Sequence, residues 1–452
     1  MPPETGKKIA STFFYGWYIV LMAFTANFMS VGTGFYLMNA FMEPLCDTRN
    51  WTRTDISLAP AYATVFGLMA QMVFGTIVNR VGARTLMLMG SFVSGLAFFL
   101  LFRSESLWQF YFFFIILYIG NAAYGGIVAS TSVNNWFIVK RGRAMGLTTA
   151  GVSFSGAVLP PIAMIMILRM GMGPASTIIS LLVVLVGPIA WMVVKNWPED
   201  MGLLPDGIDP ATGKSTIRQT PKQGQTVSPS PGASVIPPGQ PARPWPIRRL
   251  VRTGAFWKIG LAYALLTAGA VGVMSQLKPR FADIGFEDMT AMWLMAGTAF
   301  AGALGKYAWG TICDHFEIRR VATLVSIMNG IGLLFTFIHG SSLALILFVI
   351  IFGFTMGGIM STYPIIIADY FGREAFPSVV RFTSLFLVVQ MVGFFLAGQS
   401  FDRTGSYGFA YALFFIFDMV AAGLIWSIAG GRKTEPQRTE NGKRRERSEG
   451  RG

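Results

Sequence analysis

Apolar residues in this chain gather into runs of about twenty, the length that crosses the hydrocarbon core of a bilayer as a helix. Short polar segments separate the runs. The pattern predicts an all-α membrane protein with twelve transmembrane helices, over residues 14–38, 56–78, 85–103, 108–134, 143–168, 174–195, 255–279, 290–312, 320–339, 342–368, 378–400 and 407–429. Between the sixth and seventh runs lies a stretch rich in Pro, Gly, Ser and Gln without apolar periodicity, which reads as a disordered cytoplasmic linker. The chain therefore divides into a first six-helix bundle over 1–196, a linker over 197–252, a second six-helix bundle over 253–431 and a basic tail over 432–452.

An even number of spans returns both termini to one face. Arg80, Arg84, Lys140, Arg141, Arg143, Arg319, Arg320 and Arg373 share that face with the basic tails, whereas the opposite face holds scattered cations such as Arg49, Arg53, Arg103 and Arg169. By the positive-inside rule, the N- and C-termini are expected in the cytoplasm. The net charge of +14 is then a matter of orientation and not of nucleic-acid binding. With 53% hydrophobic and 13% charged residues and a mean hydropathy of +0.53, the composition excludes an ordinary soluble protein. The first run is too long for a signal-peptide core and is expected to remain as a helix. Cys46 and Cys313 fall on opposite faces in this topology and are not expected to pair. Compact loops point to a bacterial inner membrane, and a monomer is expected to suffice for function. The basic tail reads as solvated, with contact to anionic membrane lipid as the alternative.

The run over 293–320, WLMAGTAFAGALGKYAWGTICDHFEIRR, carries Lys306 deep inside it. An ammonium near the bilayer centre costs about 2.5–3.5 kcal/mol on insertion scales, so such a residue usually faces a protein interior or a water-filled cavity and marks a pathway. The end of this run, GTICDHFEIRR, echoes GTIVNRVGARTLML at 75–88. Setting Gly75 on Gly310 gives an offset of 235 residues, which also sets Asn79 on Asp314, Arg84 on Arg319 and Gln71 on Lys306. The two bundles are thus internal repeats. One intramembrane position is a neutral amide in the first repeat and a cation in the second.

GTIVNRVGAR resembles the loop 2–3 motif of the major facilitator superfamily, with Asn79 where the usual aspartate stands, and GTICDHFEIRR is its second-half echo with Asp314 retained. FYGWYIV, WTRTDISL, KRGRAMGLTTAGVSFSGAVLPP, WPEDMGLLPDG and FDRTGSYGFAYAL together resemble the monocarboxylate and oxalate–formate antiporter branch of that superfamily. The resemblance covers nearly the whole chain. It implies the major facilitator fold, two pseudo-symmetric bundles, and a central site lined by helices 1, 4, 7 and 10. It also implies that Lys306, at the place of the family's helix 8 cation, usually an arginine, holds the substrate carboxylate. Many animal members carry a membrane lysine after the start of helix 1; SVGTGFYLMNAF has none, so that role is not carried over. Gly75, Asn79, Arg80, Arg84, Gly310, Asp314 and Arg319 are expected to stabilise one conformation, with Asn79 weakening the first-half network.

A lysine offers a point charge in place of arginine's planar fork and loses its proton more readily on burial. The other reading of Lys306 is a snorkelling side chain near the cytoplasmic end. Arg381, in FPSVVRFTSLFLVV, is a second candidate for the substrate's charge or else an anchor at the start of its span. Lys278 and Arg280, flanking Pro279, read as a gate, as an attraction for anions, or as interfacial anchors. Between Glu4 and Glu199 every acid, namely Glu43, Asp47, Asp55 and Glu105, falls in an expected loop. Carriers of organic cations, or of sugars with protons, generally need intramembrane carboxylates, whereas an anion needs fixed positive charge and hydrogen-bond donors. The expected substrate is a small organic anion, with a lactate- or pyruvate-like monocarboxylate first.

Asp418 breaks that pattern, either as a protonatable partner in proton coupling or as a structural residue on a peripheral helix. Asp283 and Asp369 are expected at solvated helix ends. Tyr118, Asn121, Gln276 and Tyr363 are the donors expected at the site, each able instead to bond between helices. The sequence carries no Cys/His metal cluster, Ser/His/Asp set or phosphate-binding loop, so neither an enzyme nor a cofactor is expected. Transport would run on a gradient, by proton symport through Lys306 or Asp418, or by anion exchange. The rival readings are a carrier of hydrophobic or cationic compounds and a non-transporting receptor on the same scaffold.

Overall fold

The computed structural model describes residues 14–137, 140–207, 247–338, 340–371 and 376–428, and the regular structure among them is helical. The first bundle contains α1 (Gly16–Arg49), α2 (Arg53–Val78), α3 (Ala83–Leu101), α4 (Leu107–Trp136), α5 (Arg143–Met170) and α6 (Met172–Val193). The second contains α7 (Gly254–Ser275), α8 (Asp288–His315), α9 (Ile318–Phe337), α10 (Ser342–Phe371), α11 (Leu385–Thr404) and α12 (Gly408–Trp426). Eleven of the twelve are long and apolar enough to cross a membrane. The other, α8, has the length, at 28 residues, but Lys306 and a series of small residues dilute its hydropathy. The face where α1 begins and α12 ends is the near face below, and the opposite one is the far face.

Local sequence explains where the helices start. Thr52 and Asp55 form a capping box at α2, and Ser106 and Gln109 form another at α4, each satisfying amides that a helix start leaves open. Asp55 is therefore a cap. The helices bear large apolar side chains on their outer surfaces, among them Leu96, Phe112, Leu181, Leu304 and Ile346, as lipid contact requires.

Hydropathy misses four backbone features. The first span does not end near residue 38: the helix continues through Pro44 to Arg49, because Phe41, Met42 and Leu45 are buried, with the Phe41 and Phe102 rings 4.2 Å apart. Glu43 and Asp47 are thus helical and not in a loop. The fourth span is two helices, Leu107–Tyr124 and Gly126–Trp136. The seventh stops at Ser275 and restarts as the short helix Leu277–Asp283. Before the α-helical part of α11, residues Phe376–Thr383 form a short helix and Ser384–Val389 a tighter 3-10 stretch.

Across the inter-repeat linker, the described ends are ordered. Pro198–Met201 and Pro205–Gly207 are single turns, with Asp206 accepting from the Lys140 amide at 3.1 Å, and Ile247–Val251 is a short helix. The rest of the expected disordered segment, 208–246, and the basic tail from 429 lie outside the described residues.

A close helix pair places the candidate lysine. Along α8 and α10, Gly302, Gly305, Gly353 and Gly357 face the opposing backbone, so that a Cβ at Gly357 would overlap the Gly302 carbonyl and lie 2.7 Å from the Lys306 backbone nitrogen. Small residues permit this approach, and the Ser361 hydroxyl closes it by donating to the Lys306 carbonyl at 2.9 Å. Gly357→Val should force the two helices apart at a cost of about 1–3 kcal/mol. The expected result is a lower thermal midpoint in size-exclusion stability assays; an unchanged midpoint would show that the contact is not made.

Candidate functional site

Three irregular helices meet midway between the bundles. In α1, Gly32–Tyr36 is a π-helical turn, a register slip that often accompanies functional sites. In α4, Gly125 is extended and Gly126 has φ +50°, a left-handed value suited to glycine. The break is fixed from α1: the Asn27 side-chain oxygen accepts from the Gly126 amide at 2.8 Å, and the Ser30 side chain occupies the space a Cβ on Gly125 would need. In α11, Gln390 follows directly on the 3-10 stretch. Interrupted helices are tolerated at membrane depth where they line a cavity.

Such a cavity lies between the bundles, with a volume of about 310 Å³. The first bundle supplies Ser30, Gly34, Phe35, Gln71, Tyr118 and Asn121 to its wall, and the second supplies Val271, Lys306, Met356, Met360, Gln390 and Phe394. Lys306 is the one charged side chain on that wall among the described residues, and it makes no ion pair with any of them. Gln71 and Lys306, matched by the repeat, line the same cavity from α2 and α8. The two bundles thus contribute a cation and an amide to the wall of one mostly apolar chamber.

Tyr118 and Asn121 are at the wall, tied to the irregular turn of α1. The Tyr118 hydroxyl donates to the Gly34 carbonyl at 3.0 Å, and the Asn121 amide donates to the Ser30 carbonyl at 2.9 Å while its oxygen accepts from Ser94 at 2.6 Å. Their first task is to hold α1 against α4. Gln276 and Tyr363 are elsewhere. Tyr363 donates to Thr383 at 2.9 Å and packs on Tyr263 within the second bundle. Asp418 is fully buried off the cavity, its Oδ2 accepting from Asn329 at 2.8 Å and its Oδ1 without a partner among the described residues. The side chains of Arg381, Asn79 and Asp314 lie outside the described residues. Sequence reading did not single out Gln390, although it is the lone amide in the run LFLVVQMVGFF.

On the far side, Phe35 and Phe394 approach to 6.1 Å between ring centroids and floor the cavity. Beyond them the bundles are latched. Arg53 at the start of α2 binds both oxygens of Asp283, with one bond of 2.8 Å, and donates to the Tyr407 hydroxyl. Tyr407 donates to Gln276 at 3.0 Å, and Gln276 donates to Ser57 at 2.9 Å. Burial raises the Tyr407 hydroxyl well above its ordinary pKa, which keeps that donor protonated. Lys278, wholly buried, pairs with Glu43 of α1 and with Asp288. Asp283, expected in solvent, is therefore a latch residue, and Lys278 fits the gate reading over the anchor reading. Glu43 and Lys278 are themselves separated by 235 residues, so this ion pair joins repeat-related positions where α1 and α7 approach the pseudo-twofold axis.

On the near face, the contacts of Arg84 and Arg319 stay within their own bundles. Arg84 donates to the Trp191 carbonyl at 2.6 Å and stacks over its ring, while Arg319 donates to the Ile428 carbonyl at 3.1 Å and lies over Trp426. Trp191 and Trp426 obey the same 235-residue offset as the arginines. Arg80 is exposed, Gly75 packs near Ile127, and Gly310 faces open space. Among the described residues, every hydrogen bond or ion pair joining the bundles lies on the far-face side.

A family model described as Major Facilitator Superfamily matches residues 13–375 and 279–450. The chain is 24% identical over 376 residues to the MFS transporter asaE of Aspergillus flavus, covering 81% of this chain and 74% of that protein. It is 24% identical over 426 residues to monocarboxylate transporter 2 of Rattus norvegicus, covering 91% and 81%. An MFS-type transporter of Gibberella moniliformis is 21% identical over 370 residues, covering 81% and 78%.

Proposed function

The chain belongs to the major facilitator superfamily, and on that premise we propose that it is a secondary transporter of small organic anions, with monocarboxylates such as lactate or pyruvate the first candidates. The observation that carries the reading is Lys306, a cation on the wall of the inter-bundle cavity without a carboxylate partner among the described residues. A buried charge is kept where it is paired, and a substrate carboxylate supplies the pair. Gln71 and Gln390 offer amide donors beside it, and Phe35, Met356 and Phe394 suit the apolar body of a monocarboxylate. The rat relative's name points the same way.

With both termini in the cytoplasm of a bacterial cell, as the basic loops favour, the conformation described above faces inward. The Lys306 ion pair then forms and breaks from the cytoplasmic side until the near face closes and the far latch opens. Two couplings follow from the lysine. If it releases its proton when empty, proton and anion travel together and the neutral carrier returns alone; if it stays charged, only a loaded carrier returns and exchange is obligatory.

Uptake of labelled lactate into proteoliposomes separates these cases. Acceleration by an inward proton gradient supports symport, and uptake only with lactate preloaded inside supports exchange. Silence in both arrangements, repeated with bulkier aromatic monocarboxylates, would overturn the monocarboxylate reading. Asp418 gives an internal control. Because it bonds to Asn329 away from the cavity, Asp418→Asn should keep uptake within about twofold of the parent, as for substitutions outside the interactions that carry function. Loss of uptake in Asp418→Asn, with Lys306→Gln tolerated, would instead support the cation or hydrophobic-compound carrier.

A further inference from the structure

Another largely buried cation stands outside the transport path. Arg280 lies on the short helix whose Lys278 and Asp283 bind the first bundle, but it lines a separate cavity of about 210 Å³ beside the far ends of α9 and α10. Its Nη2 donates to the Thr336 carbonyl at 3.0 Å, its guanidinium carbon sits 4.7 Å from the Tyr411 ring centroid and 5.9 Å from that of Phe348, and its Nε is buried without a partner among the described residues. Among the described residues no carboxylate pairs with it. Asp283, three residues on, commits both oxygens to Arg53.

A guanidinium withdrawn from water is costly unless an anion and hydrogen bonds compensate it. Here the backbone and two rings satisfy part of the group and leave part of its planar fork unfilled. That fork matches two oxygens of a carboxylate or phosphate. Ser341 and Ser342, on the same cavity wall, add hydroxyl donors, and Phe348 and Leu345 close it with apolar surface. The chamber is sized for a small group, and half-exposed Ile284 and Ile338 border it.

We propose that this cavity is an oxyanion-binding site at the far face, filled by the carboxylate or phosphate of a small anion or by the phosphate of an anionic phospholipid headgroup. It does not depend on what the central cavity carries.

The test uses full-length protein with Lys306→Gln, so that the central lysine contributes nothing. In nanodiscs of phosphatidylcholine alone, inorganic phosphate or acetate should raise the thermal midpoint over chloride at equal ionic strength by about 2–4 °C. In nanodiscs containing phosphatidylglycerol, native mass spectrometry should find one tightly retained phosphatidylglycerol. Either signal supports the site, the first identifying a free anion and the second a headgroup. Each should vanish in Arg280→Gln and weaken in Arg280→Lys, which keeps the charge without the fork. Leu345→Trp, which fills the chamber from α10 and keeps Arg280 in place, should abolish it as well, and it serves where Arg280→Gln does not fold. Absence of both signals, or signals indifferent to Arg280 and to Leu345→Trp, would overturn the proposal.

Discussion

Lys306→Gln should abolish anion uptake while leaving a folded, latched protein. Glutamine is the informative replacement because Gln71, at the repeat-related position, shows that an amide is accommodated on this cavity wall. The substitution therefore removes charge with little change of shape. A hydrogen bond to a charged group contributes about 1.5–3 kcal/mol, which corresponds to roughly a tenfold to hundredfold loss of affinity. The lost attraction acts on loading, and in a symporter it also removes the proton site, so transport should fall further than binding. Equilibrium binding of labelled lactate beside the uptake assay reads both effects. Lys306→Arg should recover binding, because the charge returns, and it should favour exchange over net uptake, because an arginine does not release its proton. Wild-type uptake in Lys306→Gln would remove the premise on which the anion reading stands.

The residues that proved legible in sequence are those whose chemistry conflicts with their surroundings. A lysine inside an apolar run has few tolerable environments, and of the two its position leaves open, a cavity wall and a snorkelling site, the structure has Lys306 on a cavity wall. The repeat register was equally legible, and it carries structural content: Gln71 with Lys306 at the cavity, Glu43 with Lys278 at the far face, and Arg84 on Trp191 with Arg319 on Trp426 at the near face.

What hydropathy does not encode is where the helices break. Gly125–Gly126 and Gly357–Gly358 occupy similar places in α4 and α10, yet only the first pair interrupts its helix. The difference is tertiary. Asn27 takes the Gly126 amide out of the helical ladder, whereas Gly357 and Gly358 pack flat against Gly302 and Trp309. Glu43, expected in a loop, is helical for a related reason: the burial of Phe41, Met42 and Leu45 carries the helix on past Pro44. Gln276, expected at the site, is drawn to Ser57 and Tyr407 by the kink that ends α7, a bend its sequence does not announce.

The far-face latch sets the second large expectation. In Lys278→Met, Glu43 and Asp288 lose the ammonium that holds them together, and two carboxylates are left at the closed interface. Removing one partner of a fully buried ion pair costs about 3–5 kcal/mol, and less here because Glu43 and Asp288 keep 24% and 43% of their side-chain exposure. That cost falls on the closed arrangement, because opening the far face lets both carboxylates rehydrate. Every 1.4 kcal/mol is about tenfold in an equilibrium, so even a third of the penalty would move the population toward far-face opening by about an order of magnitude. Cys46, three residues beyond Glu43 and half-buried, is a native reporter of that change. In a Cys313→Ser background, its labelling by a membrane-impermeant maleimide should accelerate about tenfold in Lys278→Met. Arg53→Gln should give a smaller increase, since the Arg53–Asp283 pair is partly solvated and screening weakens it. Both variants should bind lactate through Lys306 and yet transport it slowly, as a carrier that cannot close its far face must. Cys46 labelling unchanged in both would mean that the ion pairs do not hold the bundles, leaving the Phe35–Phe394 contact and helix packing to seal the cavity.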